Sequence, residues 1–150
     1  MSKIFIYYSM SGNGDYVASV LKEKGFEIRK VESNYRLSKI TFFAMMKGGF
    51  DAARGKRAKL INFDNDISNF DDVYIGSPIW NSRLTPPINT VLDKIDLSNK
   101  KNTFILYSGG GEAKSACDMI NEKYKNCKII NLKQPKKYNN EIEKIEVEND

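Results

Sequence analysis

Residues Lys3 to Tyr8 are a β-branched and aromatic run of strand length that stops abruptly at Ser9, and apolar residues at helical spacing follow almost at once. A strand without polar alternation has to be covered on both faces, and a helix that follows directly supplies the first cover. In the stretch from Asn13 to Lys24, Val17, Ala18, Val20 and Leu21 supply the apolar stripe of that helix, and Gly25 supplies its stop. The pattern then repeats. Strands are expected at Glu27–Val31, Asp72–Gly76, Thr103–Tyr107 and Lys128–Leu132, with helices at about Pro87–Lys94 and Ala113–Tyr124. Strands alternating with helices pair in parallel through right-handed crossovers, which makes an α/β three-layer sandwich around a five-stranded parallel sheet. The long interval Glu32–Asp71 has to hold one more crossover helix, with Ile40, Phe43, Met46, Phe50 and Ala53 facing inward. Ile142, Ile145 and Val147 are spaced for a short final helix or a frayed end.

The chain has 150 residues, which suits one domain over residues 1–150. It contains no histidine, so catalytic triads and histidine metal sites are excluded. Cys117 and Cys127 lack the spacing of a zinc or redox motif and read as reduced structural residues, so no metal is expected. Without a long apolar run or a signal-peptide core, the expectation is a cytoplasmic protein with no membrane insertion. Lys and Arg number 24 against 19 Asp and Glu, a net charge of +5 that permits an acidic partner. No basic motif interleaved with aromatics is present, so no nucleic acid is expected.

In an open parallel sheet, ligands sit beyond the carboxyl ends of the strands where strand order reverses, which singles out three connections. The first is Ser9-Met10-Ser11-Gly12-Asn13-Gly14-Asp15, whose backbone N–H groups and following helix can face an anion. It matches neither GxxxxGK[ST] nor GxGxxG, and Ser9 to Leu21 contains no Lys or Arg, so neutral donors would hold a phosphate there. A tight turn is the plainer reading of its glycines. The second connection, Gly76 to Pro87, carries the single tryptophan, Trp80, which can stack on a planar ligand or close over the core. The third, Ser108-Gly109-Gly110-Gly111-Glu112, exposes main chain without side-chain bulk.

The S-x-S-G-N start of the first connection and the stretch GSPIW make the chain resemble the flavodoxin-like family of FMN-binding proteins, from Lys3 to about Leu132. That resemblance implies strand order 2-1-3-4-5 with FMN at the switch point, the placement for which flavodoxin itself is the standard example. By the same resemblance Ser9, Ser11, Gly12, Asn13 and Gly14, with Met10 among them, hold the FMN phosphate. Pro78, Ile79, Trp80 and Asn81 flank the isoalloxazine, and Ser108, Gly109, Gly110 and Gly111 contact its pyrimidine edge. Three features depart from the family pattern. Gly14 stands where threonine is usual and Asp15 follows it; the third connection has no aromatic ring; and the chain is basic.

The implied function is that of a one-electron carrier working with a redox partner protein, an acidic one on charge grounds, with no catalytic residue of its own. An FMN-dependent NAD(P)H:quinone or small-molecule oxidoreductase is the alternative on the same fold. A flavin-free association module using the basic residues between Lys30 and Leu60 is a third. Four finer expectations accompany the resemblance. Gly14→Thr tightens FMN where the backbone accepts a side chain, Trp80 stacks on the flavin, Trp80→Ala leaves the apoprotein folded, and Arg83 favours the reduced flavin by its charge.

Overall fold

The computed structural model describes residues 2–35 and 56–147. In chain order these form β1 (Lys3–Tyr7), α1 (Asn13–Glu23), β2 (Glu27–Lys30), β3 (Asp72–Trp80), β4 (Arg83–Leu84), α2 (Pro86–Lys94), β5 (Lys101–Ser108), α3 (Lys114–Lys123), β6 (Cys127–Lys133) and a 3-10 helix (Asn139–Lys144). The parallel strands run in the order β2-β1-β3-β5-β6, as the resemblance implies, and β4 is a short antiparallel partner of β3 outside that path. The five parallel strands are those expected, and β4 makes a sixth strand of the sheet among the described residues. The expected crossover helix with Ile40, Phe43, Met46, Phe50 and Ala53 lies outside the described residues, as does most of the basic stretch between Lys30 and Leu60.

Side chains alternate between the two faces of each strand, and each face carries its own core. On one face Ile4, Ile6, Val73, Ile75, Phe104 and Leu106 pack against Ile88 and Val91 of α2 and Ala116 and Ile120 of α3. On the other, Phe5, Tyr7, Tyr74, Ile105 and Tyr107 pack against Val17, Ala18 and Leu21 of α1. The chain end completes this second core, with Ile145 buried in it and Ile142 and Val147 against it. Helices thus cover both faces, and among the described residues no helix is long and apolar enough to cross a membrane.

The second face is built from rings leaning over a glycine. Gly76 of β3 is the register partner of Tyr7 on β1, and the Phe5 and Tyr7 rings stack beside it with centroids 5.0 Å apart. A Cβ on Gly76 would lie 2.5 Å from Phe5 Cζ and 3.0 Å from Tyr7 Cβ. Both residues are closed in the core, so neither ring has room to retreat. Gly76→Ala is expected to lower stability by about 1–3 kcal/mol through overpacking; urea unfolding checks this, and an unchanged midpoint would show that the rings can shift.

Candidate functional site

The carboxyl ends of β1, β3 and β5 meet at one hollow of about 230 Å³. Eight residues expected at a site line it: Met10, Ser11, Asn13, Pro78, Ile79, Trp80, Ser108 and Gly109. Tyr107 and Gln134 also line it, and neither stands out in the sequence. Ser9, Gly12, Gly14, Asn81, Gly110 and Gly111 are not among its lining residues.

The first connection is a cradle organised by its own side chains. Ser9 Oγ accepts the Gly14 N–H at 3.1 Å, and Asn13 Nδ2 donates to Ser11 Oγ at 3.3 Å. Gly12 caps α1 in the left-handed region at φ 91°, a conformation that favours glycine. The backbone N–H groups of Asn13 and Asp15, in the first turn of α1, have no acceptor among the described residues. Donors of this kind are what a helix start offers an anion.

Asp15 does not oppose that role. Its carboxylate accepts the Tyr7 hydroxyl at 2.8 Å and pairs with Lys30 Nζ at 2.9 Å. Burial resists its ionisation, but the hydrogen bonds from Lys30 and Tyr7 and the charges of Lys30 and Lys136 outweigh burial and hold its carboxyl below the usual range. Burial and the Asp15 bond push the Tyr7 hydroxyl well up, so it stays a donor.

Gly14 has a different reason to be glycine. The Tyr107 hydroxyl donates to the Tyr8 carbonyl directly above it. A Cβ on Gly14 would overlap Tyr107 Oη and stand 2.8 Å from Tyr7 Cδ2 and 2.9 Å from Ser9 Cβ. Tyr107 is buried, which pushes its hydroxyl pKa far up, with Tyr7 and Asp15 adding to the effect. The backbone at Gly14 therefore does not accept threonine, which overturns the expected gain from Gly14→Thr.

The second connection is not a loop over most of its length. β3 continues through Ser77, Pro78, Ile79 and Trp80, and Asn81 and Ser82 turn the chain back with φ of 50° and 64° so that Trp80 pairs with Arg83 and Ile79 with Leu84. Consecutive left-handed residues suit the two-residue turn that matches strand twist, and asparagine tolerates that region. Ser82 then fastens the hairpin to α3, its Oγ accepting the Ser115 N–H at 2.9 Å and its carbonyl the Ala116 N–H at 2.8 Å. Asn81, at the hairpin tip, is outside the hollow. Trp80 is 2% exposed, with Tyr35 stacked on it at 6.1 Å and Tyr8 edge-on at 6.4 Å. The open ring face expected for stacking is not there: Trp80 closes the wall of the hollow among tyrosines. Arg83 lines a separate hollow with Arg57 and Lys123, between α2 and α3.

The third connection is tied to residues that follow β6. Ser108 Oγ accepts the Gly111 N–H at 2.8 Å, the Ser108 carbonyl accepts the Gln134 N–H at 3.1 Å, and Gln134 Nε2 donates to the Gly109 carbonyl at 3.1 Å. Two residues on, the Lys136 N–H donates to Asn13 Oδ1 at 3.1 Å, so the segment from Gln134 to Lys136 bridges the third connection to the first. Gly110 stands in open space.

The family model described as flavodoxin matches residues 2–150 of this chain. The fold is similar to the crystal structure of a candidate flavoprotein from Bacteroides eggerthii, with TM-score 0.69 and 16% identity over 97% of this chain and 99% of that one. It is also similar to a flavoprotein from Lactobacillus acidophilus solved in complex with FMN, with TM-score 0.58 and 22% identity over 92% of this chain and 96% of that one. At these identities the likeness is one of fold. A search of curated proteins finds no match.

Two substitutions test the geometry. Gly14→Thr is expected to cost about 1–3 kcal/mol by displacing Tyr107 or the start of α1, seen as a lower melting temperature; unaltered stability would mean that this contact yields. Trp80→Ala is expected to cost about 3–5 kcal/mol because it empties a packed wall. A variant as stable as wild type in denaturant would restore the reading of Trp80 as a freely exposed ring.

Proposed function

The chain belongs to the flavodoxin family, and on that premise we propose that it binds FMN and carries electrons for a redox partner protein. The observation that supports this most is the convergence of the three strand-end connections on one hollow, with unfilled N–H donors at the start of α1 on one side and apolar Pro78 and Ile79 on another. When bound, FMN supplies the redox chemistry. The residues present fit it. The N–H groups of Asn13 and Asp15 and the Ser11 hydroxyl offer the phosphate neutral donors at a positive helix end. Pro78 and Ile79 present a dry flank to the ring, and Ser108 and Gly109 present polar groups to its edge.

The hollow itself is smaller than the roughly 300–1,000 Å³ of common ligand sites, so FMN would fill it and lie partly over its rim. The rim offers Met10, which is 46% exposed, and the bare backbone of Gly110. A flavin edge left at the surface suits electron transfer to another protein. Charge on this chain favours an acidic partner, since the net charge is +5 and Lys133, Lys136 and Lys137 follow each other along the segment beside the site.

Titrating purified apoprotein with FMN and riboflavin, then reducing the complex stepwise, tests the proposal. FMN is expected to bind one per chain and at least tenfold more tightly than riboflavin, since each charge-assisted bond to the phosphate contributes about 1.5–3 kcal/mol. Reduction in resolved one-electron steps with negligible NADH or NADPH oxidation supports the carrier. Rapid nicotinamide-driven turnover with quinones would instead make the protein a reductase, and equal binding of the two flavins would remove the phosphate site.

A further inference from the structure

We propose that Lys136, a residue far from the first connection in sequence, is the cationic element of the phosphate site and sets its preference for a phosphorylated flavin; this rests on the FMN reading above. The sequence places no Lys or Arg between Ser9 and Leu21, so the connection looks neutral when read along the chain. The fold changes that. A methyl group built on Gly12 would meet Lys136 Nζ at 3.0 Å and Cδ at 3.2 Å, so the lysine side chain lies along the face of Gly12 that carries no Cβ. Gly12 is therefore glycine for two reasons, its left-handed φ of 91° and the lysine stem it admits.

The position of Lys136 is set from both sides. Its N–H donates to Asn13 Oδ1 at 3.1 Å, and its carbonyl accepts Asn139 Nδ2 at 3.0 Å. The turn that carries it is closed by Lys137 and Tyr138 N–H groups donating to the Gln134 carbonyl, each at 2.9 Å. Only the side chain beyond Cβ has freedom to lose when an anion binds, which lowers the entropic cost of recruiting it.

The charge of Lys136 acts on the Asp15 carboxylate through space and is not closed in an ion pair. It has no ion-pair partner among the described residues, and the nearest acid of the connection, Asp15, is already paired with Lys30 at 2.9 Å and bonded by the Tyr7 hydroxyl at 2.8 Å. Asp15 thus has closer partners than Lys136, whose Nζ lies against Gly12, the residue before the unfilled N–H donor of Asn13. Neutral donors fix the orientation of a phosphate, while a lysine adds a salt-sensitive attraction that riboflavin cannot use. The cation reaches the site from the segment after β6, and that segment also holds Gly109 through Gln134. Phosphate and ring ends of the site are therefore linked through one short stretch of chain.

The test is a fluorescence titration of the full-length apoprotein with FMN and with riboflavin, for wild type, Lys136→Met and Lys136→Arg, at two salt concentrations. Lys136→Met is expected to weaken FMN about tenfold, by the 1.4 kcal/mol per decade relation, to leave riboflavin unchanged and to flatten the salt dependence of FMN binding. Lys136→Arg is expected to retain most of the FMN preference. The ratio of the two affinities in each variant cancels any general loss of folded protein. Wild-type preference for FMN that survives in Lys136→Met overturns the assignment of Lys136 while leaving the cofactor reading intact. An equal loss for both flavins also overturns it, because the lysine would then be only a brace. Wild type that fails to distinguish FMN from riboflavin overturns the phosphate site and Lys136 together.

Discussion

The hydrogen bond from the Tyr107 hydroxyl to the Tyr8 carbonyl holds the site end of the molecule together. Tyr107 belongs to β5 and Tyr8 follows β1, and these strands are separated by β3, so the phenol reaches across the central strand of the sheet. It can do so because Gly14 presents no side chain beneath it and Gly76, one strand in, presents none beside Tyr7. The Tyr107 hydroxyl thereby satisfies a main-chain carbonyl at the point where β1 ends. The start of α1 packs directly on this tyrosine, which places the cradle of the first connection above the carboxyl edge of the sheet. Placing bulk at Gly14 or Gly76 would disturb the tyrosines on which the cradle rests.

Electrostatics around the cradle follow a division of labour. The acid nearest the N-terminus of α1, Asp15, is turned toward β2, where Lys30 and Tyr7 hold it. The ion pair is about half exposed, and surface pairs of this kind contribute only about 0–1 kcal/mol to stability, so it orients the Asp15 carboxylate more than it stabilises the fold. Lys136 lies over Gly12 and adds its charge to those that hold the Asp15 carboxyl ionised. A chain with a net charge of +5 needs local arrangement of this sort, since net charge alone sets no site.

Rigidity on the third side comes from the β3–β4 hairpin. Extending β3 to Trp80 buries nine consecutive residues, and Ser82 at the turn caps α3 through its hydroxyl and carbonyl. Ser77 supports the same region from within, its hydroxyl donating to the Pro78 carbonyl at 2.8 Å and lying 3.2 Å from Thr85 Oγ1 at the start of α2. The wall formed by Pro78, Ile79 and Trp80 is thus a strand fixed at both ends. Trp80 serves as a structural partner of Tyr8 and Tyr35, and Arg83, pulled into the hairpin, faces the cavity between α2 and α3.

Periodicity and spacing along the chain determined the architecture: apolar runs of strand length, helices after them, parallel order, and three connections gathered at one edge. These are local properties, because a strand or helix is specified by neighbours within a few residues. The connections S-x-S-G-N, GSPIW and SGGG were legible for the same reason, and eight of the residues read from them line the hollow. Tertiary structure decided the rest. That Gly14 excludes threonine depends on Tyr107, 93 residues away by their numbering in the chain. Whether Trp80 is a platform or a wall depends on Tyr8 and Tyr35, and β4 exists only because two left-handed residues can fold the chain back onto a strand that was already buried. Lys136 and Gln134 come to the site only through the crossover that brings β6 beside β5. Contacts between residues so far apart in sequence leave no periodic trace, since their cost and gain arise only when the sheet has formed.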